Sequence, residues 1–429
     1  MISRDFINLI ELVLAKGINS MSQEELILMR DTKSVELIKK FQQNMFEGWK
    51  EAQDAILSIQ LALSKDAKDT EMWPKWYLFR NTQRLLDTIM WHHFGPDLTD
   101  MKRLYNIYPV IQNLFEHNIL THIDIAKEFN QDPLAFALIS DLTSGIRIGD
   151  IFLVKHGQPH QFIEVKSGNV NSEIIESMSD DKKMMEIVSH PQKRKQLERM
   201  FWQHDRAKET SNIIHTGEGV DDRFKFKKVK INETDKPFDT FEEEVVNALN
   251  SVSSQSNCVT KVVEDCLLVI AVKTSNSVDY TELIKKEINA FEENGNASGI
   301  SFDWGYILTK SQLYRPLFLQ PIGNDLVHDL LFRDKMVVIY FSFEAFKKRF
   351  SSKDFMIDVL TGEQFRKIKG KYKGTDFDIL ANKKSALVFR LTGDKVEPFS
   401  FGIFDRIPSF LVKPSHFLYL QKFMLSQYS

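Results

Sequence analysis

Apolar residues recur at three- and four-residue spacing through most of the first 125 residues. The clearest segments are SVELIKKFQQNMFEGWKEAQDAILSIQLAL and KWYLFRNTQRLLDTIMWHHFG, and Gly95-Pro96 ends the second. This spacing places the apolar side chains on one face of an α-helix. A further helix is predicted over 101–120, with a break at Pro109. The pattern therefore predicts a helical N-terminal region over residues 1–125.

The pattern changes over residues 126–235. DPLAFALISDLTSG predicts a short helix that ends at Gly145, and GIRIGDIFLVKHGQPHQFIEVKSG has the period of a β-hairpin that turns near residues 156–159. The polar residues 169–181 predict a loop. SHPQKRKQLERMFWQHDRAKE then predicts an amphipathic helix, and TSNIIHTGEGVDD predicts a linker. The predicted buried stripe of that helix is Leu197, Met200, Phe201 and His204.

Residues 236–429 alternate between helical and strand patterns, which predicts a C-terminal α/β domain. Helices are predicted at 239–251, in YTELIKKEINAFEEN, in SFEAFKKRF and near 414–426. Strands are predicted in CLLVIAVK, WGYILT and KMVVIYF, with a hairpin turning at Thr392-Gly393-Asp394. No catalytic constellation is recognised in this domain. Its expected role is therefore to select the substrate, to sense a trigger or to form oligomers.

Composition places the chain among soluble globular proteins. Of its 429 residues, 43% are hydrophobic and 27% are charged, which is unlike a disordered or fibrous protein. We recognise no signal peptide and no membrane-spanning run, so a cytoplasmic location without a membrane partner is expected. The net charge of −3 excludes a general polycation. Basic segments at 182–208, 223–230 and 366–373 are either solvated faces or a phosphate-binding surface.

Three charged residues interrupt the apolar hairpin: Asp150, Glu164 and Lys166. Alternate residues of a strand share a face, so Glu164 and Lys166 project together. Burying them is costly unless they pair with each other or hold a charged group. Two converging carboxylates supply the oxygen ligands that Mg²⁺ or Mn²⁺ prefers, and a nearby lysine can activate a water molecule. The segment therefore predicts phosphodiester hydrolysis.

The register of the hairpin decides whether Asp150 joins Glu164. A symmetric loop of four residues places Asp150 opposite Val165 and turns it away from Glu164 and Lys166. Convergence needs an odd-numbered loop or a bulge, which Gly157 allows. We therefore predict such a loop.

Gly149-Asp150 followed by Glu164-Val165-Lys166 resembles the D…ExK signature of the PD-(D/E)XK nuclease superfamily, and the order of segments is similar to that in uncharacterised bacterial nucleases of defence type. Gly149 stands where the signature has proline. The resemblance covers roughly residues 133–205, through DLTSGIRIGD, IEVKSG and KRKQLERM. It implies a restriction-endonuclease-like αβββαβ core with a mixed sheet, within a chain of α/β (α+β) class. This core is expected over residues 126–235.

By this resemblance, Asp150 and Glu164 are catalytic metal ligands, and the backbone carbonyl of Val165 is a third ligand. Lys166 is a catalytic residue that positions or activates the attacking water. The metal is Mg²⁺, with Mn²⁺ as a substitute. Asp141 is favoured over Glu128 as an additional acidic residue, and Gln196 or Lys193 approaches the phosphate. The implied nucleic-acid-binding residues are Lys193, Arg194, Lys195 and Arg199.

The expected function is a metal-dependent DNA endonuclease of bacterial restriction or phage defence. A homodimer, and a partner or activator protein bound through the C-terminal domain, are expected by analogy. RNA is an alternative substrate, because the metal site contacts the phosphate and not the sugar. Three further hypotheses stay open: a non-catalytic nucleic-acid-binding or scaffold protein, an edge hairpin with a surface Glu-Lys pair, and a ligand site in the C-terminal sheet crevice.

Overall fold

A computed structural model shows two compact units, 1–233 and 234–429. The described residues are 4–65, 75–94, 101, 104, 119–146, 148–165, 169–178, 180–221, 227–230, 237–253, 255–274, 279–292, 298–310, 314–352, 355–373, 379–390 and 396–426. Helices and antiparallel sheets occur in both units, which confirms the mixed α+β class. The predicted helical region and the predicted hairpin region both belong to unit 1. The boundary between units 1 and 2 lies close to the boundary predicted at residue 235.

Unit 1 begins with helices, as the periodicity predicts. They are Arg4–Leu14 (α1), Lys16–Asn19 (α2), Gln23–Thr32 (α3), Val35–Lys65 (α4), Lys75–Phe94 (α5) and Ile119–Phe129 (α6). Helix α4 buries Phe46, Trp49 and Ile56 at helical spacing. The predicted break at Pro109 lies outside the described residues.

The candidate site is carried by a sheet of three antiparallel strands in the order β1-β2-β3. The strands are Ala135–Ile139 (β1), Ile151–Lys155 (β2) and Gln161–Ile163 (β3); then follow the helices Asn169–Ser177 (α7), Asp181–Ser189 (α8) and Pro191–Thr216 (α9), and the strands Glu218–Asp221 (β4) and Lys227–Lys230 (β5). Strands β4 and β5 pair with each other. All strand pairs among the described residues are antiparallel, so these pairs do not form the expected mixed sheet.

Side chains cover the outer edge of β1. Gln53 of α4 donates from Nε2 to the carbonyl of Ala137 at 3.0 Å and accepts from the Ile139 amide at 2.9 Å. The Ala137 amide donates to the side chain of Asn130 at 2.8 Å. These contacts satisfy backbone groups that an edge strand otherwise leaves unpaired. They also fix the helical region to the sheet that carries the hairpin.

The helix predicted in DPLAFALISDLTSG is wrong. Residues Ala135–Ile139 form β1, and a 3₁₀ turn follows at Ser140–Leu142. All five strand residues are buried. A short apolar run that is buried on both faces lacks the alternation of a half-exposed strand, so its period does not distinguish it from a helix.

Two predicted irregular segments of unit 1 are also helical. The predicted loop at 169–181 contains α7, because Ile174 packs with Ile187, Leu197 and Met200. The predicted linker is the end of α9, which stops at Gly217 in a left-handed conformation, followed by β4. The predicted stripe on α9 is half right, because Leu197 and Met200 are buried whereas Phe201 and His204 are exposed.

Unit 2 contains two antiparallel sheets, ordered β6-β7-β9-β8 and β10-β11-β12. The strands are Cys258–Val263 (β6), Leu267–Lys273 (β7), Gly299–Asp303 (β8), Lys335–Ser342 (β9), Met356–Thr361 (β10), Ser385–Arg390 (β11) and Val396–Pro398 (β12). The helices are Glu242–Ser251 (α10), Tyr280–Phe291 (α11), Trp304–Lys310 (α12), Asn324–Leu331 (α13), Phe343–Phe350 (α14), Gly362–Tyr372 (α15), Phe401–Phe404 (α16), Arg406–Phe410 (α17) and Pro414–Ser426 (α18).

Most predicted elements of unit 2 are confirmed, but the strand in WGYILT is wrong. This segment forms helix α12, in which Trp304 and Leu308 are buried one turn apart. The Trp304 indole donates to the carbonyl of Pro408 at 2.9 Å. The expected hairpin is present as β11 and β12, and its turn lies outside the described residues. None of the described helices is long and apolar enough to cross a membrane.

Candidate metal centre

The end of the hairpin brings Asp150 close to Glu164. Ile151 pairs with Ile163 and Leu153 with Gln161, and beyond this ladder the Asp150 amide donates to the carbonyl of Ile163 at 2.8 Å, so Asp150 lies next to the peptide bond between Ile163 and Glu164. At the other end, the pair Leu153–Gln161 encloses residues 154–160, which are odd in number, and Gly157 in this loop has φ 68°. The predicted odd loop is therefore confirmed.

The Asp150 carboxylate is held at the end of the hairpin. It accepts a hydrogen bond from the Val165 amide to Oδ2 at 2.6 Å. Its side chain is 28% exposed, and Glu164 is half-buried. Burial and the negative charge of Glu164 raise the pKa of Asp150 above its usual range. Two carboxylates therefore interact repulsively in a partly desolvated site.

A third carboxylate and an imidazole adjoin this pair. His122 of α6 donates from Nδ1 to Asp141 Oδ2 at 3.1 Å, and its Nε2 lies 4.0 Å from Asp150 Oδ2. His122 and Asp141 are buried. Although burial opposes the charged imidazole, Asp141, Asp150 and Glu164 together raise the pKa of His122. Of the two candidate acidic residues, Asp141 lies at the site, while Glu128 is exposed near the end of α6.

His122 is a site residue that was not predicted from the sequence. The signal lies in ILTHIDIAKEF, where His122 shares the buried face of α6 with Ile119, Ile123 and Ala126. A histidine on an apolar helix face is most often a satisfied core residue. Only the fold shows that this face meets the turn after β1 and the start of β2.

The basic helix supplies no described side chain to the carboxylates. Lys193 pairs with Glu173 of α7, and Gln196 donates to Asn171 Oδ1 at 2.9 Å. Arg194 lies 3.6 Å from Glu198 one turn along the helix. Lys195 and Arg199 are exposed. Lys166 lies outside the described residues.

The side chains of the site are of the kinds that bind divalent cations, but the described donor atoms do not form a closed cage. Among the described residues, three metal-binding atoms within 4.8 Å of one another occur at His328, Asp329 and Asp334 of unit 2 and not around His122. Carboxylate oxygens suit Mg²⁺ and Mn²⁺, and an imidazole nitrogen favours Mn²⁺ over Mg²⁺. Because Asp141 engages Nδ1 of His122, Nε2 is the nitrogen left to face Asp150. This is the usual arrangement of a metal-binding histidine and its carboxylate.

The cleft between the hairpin and α9 is separate from these carboxylates. Its volume is about 690 Å³, and it is lined by residues 159–162 of the hairpin and by α9 from His204 to His215. Asp141, Asp150 and Glu164 do not line it. The candidate centre is therefore defined by its donors and not by this cavity.

Gly149 adopts a conformation that the proline of the signature cannot. Its φ is 71°, and a Cβ atom there would lie 3.1 Å from the backbone N and O of Ile163. We expect Gly149→Pro and Gly149→Ala each to destabilise unit 1 by at least about 1–3 kcal/mol, from left-handed strain and contact with β3. Hydrogen exchange of the β2 and β3 amides measures this loss.

Gly157→Ala is the matched control, because Gly157 has φ 68° with no atom near a built Cβ. Gly157→Ala introduces backbone strain without a steric contact, so it should lower the stability of unit 1 by less than the Gly149 substitutions do. If Gly149→Pro matches wild-type protection, the left-handed conformation of Gly149 is incorrect.

Comparison with known proteins adds no assignment: no family model, no curated protein and no solved structure matches the chain. The proposed function therefore rests on the residues of the site.

Proposed function

We propose that the protein is a metal-dependent nuclease. The observation that supports this proposal is the proximity of Asp150 to Glu164 and Asp141, with His122 Nε2 at 4.0 Å from Asp150 Oδ2. Repelling carboxylates in a partly buried site destabilise the fold unless positive charge offsets theirs, and a divalent cation would add to the charge that the His122 imidazole supplies. A hydrolase that binds a divalent cation gives this arrangement a function.

The proposed metal ligands are Asp150, Glu164 and the backbone carbonyl of Val165, with His122 Nε2 as a further donor. When bound, a divalent cation lowers the pKa of a water molecule and offsets charge on the phosphate. Val165 orients Asp150 through its amide, and Asp141 orients the His122 ring. Lys166 is proposed to position or activate the attacking water.

The order of elements along the chain supports the resemblance to PD-(D/E)XK nucleases, whereas the pairing of β4 with β5 apart from the sheet of the site does not. Helix α6 precedes β1, β2 and β3, and α7 to α9 precede β4. DNA is the proposed substrate, in bacterial restriction or phage defence, with unit 2 selecting the substrate or receiving an activator. An RNase, or a nucleic-acid-binding scaffold that does not cleave, is the competing proposal.

Cleavage of supercoiled plasmid, single-stranded DNA and RNA tests the proposal. Wild-type protein is expected to cleave in Mg²⁺ or Mn²⁺ and not in EDTA, and Lys166→Ala should lose activity at least about 100-fold. Lys127→Ala, at an exposed position of α6, is the control and should cleave normally.

The substrate that is cut separates DNase from RNase. Absence of cleavage on all three substrates in both metals, with nucleic-acid binding intact, would support the scaffold instead. Cleavage that persists in EDTA would contradict the metal dependence.

A further inference from the structure

Helix α9 presents a line of cations with an indole between them. Lys195, Arg199, Trp202 and Arg206 follow one another at spacings of four, three and four residues, so they lie along one face, which we call the α9 basic stripe. At 1.5 Å per residue the stripe is about 16 Å long. The buried Leu197 and Met200 lie on the opposite side of this part of the helix, against α7 and α8.

Trp202 is unusually open to solvent. It is 50% exposed, whereas Trp49, Trp91 and Trp304 are buried. The Arg206 guanidinium lies 5.3 Å from the centre of the indole ring. Lys195 and Arg199 are exposed on the other side of Trp202. An exposed aromatic face is therefore flanked by cations along one line.

We propose that the α9 basic stripe binds an unpaired segment of nucleic acid, with one base stacked on Trp202 and neighbouring phosphates on Lys195, Arg199 and Arg206. This inference rests on the proposed function and names the form of its substrate. Aromatic side chains within a basic track are the usual means of binding single strands, since every base has a face that can stack.

Chemistry favours a single strand over the other occupants. In duplex DNA the base faces are stacked on one another, so an indole has no base face to contact without unstacking the helix. A protein partner is less suited, because Trp202 is the one apolar residue of the stripe and the other three carry positive charge. The stripe positions contain no carboxylate; Glu198 and Asp205 lie beside the line.

The stripe belongs to the helix that is fixed to the hairpin. Ser211 of α9 donates to the carbonyl of His160, immediately before β3, at 2.6 Å. Strand β3 leads directly to Glu164. A strand held on α9 is therefore held by the same unit that carries the carboxylates.

Fluorescence anisotropy in EDTA tests the inference without cleavage, using labelled single-stranded DNA, single-stranded RNA and duplex DNA of equal length. Trp202→Ala is expected to weaken single-strand binding by about tenfold or more, and Trp202→Phe should retain most of it. Arg206→Gln should weaken binding and lower its salt dependence. Phe201→Ala is the matched control, because Phe201 is 51% exposed on α9 but off the stripe, and it should bind normally.

The outcomes separate this inference from the nuclease proposal. The proposal for the α9 basic stripe is overturned if Trp202→Ala binds single strands as tightly as wild type does. It is also overturned if the protein prefers duplex DNA and Trp202→Ala leaves that preference unchanged. Either result counts even if the protein cleaves. Binding of a protein but of no oligonucleotide through Trp202 also overturns it. Binding that depends on Trp202 in a protein that cuts nothing supports the stripe and refutes the nuclease.

Discussion

Asp150→Asn is expected to abolish metal-dependent cleavage while unit 1 stays folded. Asparagine retains an oxygen that accepts the Val165 amide, so the local hydrogen bond at 2.6 Å can persist. What is lost is the negative charge that would face the cation. Because loss of a residue that merely orients a metal ligand costs about 10–100-fold, loss of the ligand itself should cost at least about 100-fold in kcat/KM. Cleavage rates in Mn²⁺, with Mn²⁺ affinity from calorimetry, measure both effects.

The same substitution is expected to raise the thermal stability of the metal-free protein at neutral pH. Burial and the negative charge of Glu164 raise the pKa of Asp150. A carboxyl group with a raised native pKa binds its proton more tightly in the native state than in the unfolded chain. It therefore destabilises the native state at pH values above that native pKa, and the cost disappears below the ordinary pKa of the unfolded chain.

The stability advantage of Asp150→Asn should therefore be largest at neutral pH and shrink as the pH falls through the native pKa. Differential scanning fluorimetry in EDTA between about pH 4 and about pH 8 follows this change, and hydrogen exchange of the β2 and β3 amides assigns it to unit 1. Asp124→Asn is the matched control, because Asp124 is an exposed carboxylate on α6 two residues from His122. It should change neither cleavage nor stability. Full activity in Asp150→Asn, or a lower melting temperature at neutral pH, would contradict the placement of Asp150 in a crowded acidic site.

The hairpin could be predicted because its chemistry conflicts with its pattern. Asp150 and Glu164 stand out in an apolar, alternating segment, and the loop length needed for their convergence follows from counting residues. The contribution of His122 could not be predicted in this way. It lies on a helix whose apolar face resembles an ordinary core face, and its partner Asp141 is in a turn that was assigned to a helix.

Errors in the predicted elements have two physical causes. Strand β1 is buried on both faces, with Gln53 and Asn130 satisfying its edge, so its sequence carries no alternation. Helices α7 and α12 each depend on a few buried residues, such as Ile174 and Trp304, whose contacts come from distant parts of the chain. A secondary-structure prediction from local sequence uses only neighbouring residues, so it does not include such contacts.

Asp87→Ala is expected to cause the largest loss of stability in unit 1. Its carboxylate accepts from Arg84 Nη1 at 2.9 Å, from the Ser144 amide at 3.0 Å and from the Ser144 hydroxyl. The side chains of Asp87 and Arg84 are both fully buried. Removing Asp87 takes its negative charge away from the buried Arg84 guanidinium, and breaking a buried ion pair in this way costs about 3–5 kcal/mol. It also releases the segment that leads to Gly149 and Asp150, so cleavage should fall as well.

Hydrogen exchange resolves this effect within a chain of two units, where one unfolding midpoint does not. The β1 and β2 amides should lose protection in Asp87→Ala, while those of β7 in unit 2 serve as the internal reference. The double variant Arg84→Met/Asp87→Leu should recover part of the loss, since it removes both members of the buried ion pair. Asp31→Ala removes the ion pair with Arg30, in which both side chains are exposed, and should cost at most about 1 kcal/mol. Equal effects of Asp87→Ala and Asp31→Ala would show that the buried pair does not hold the segment leading to Gly149 and Asp150 in place.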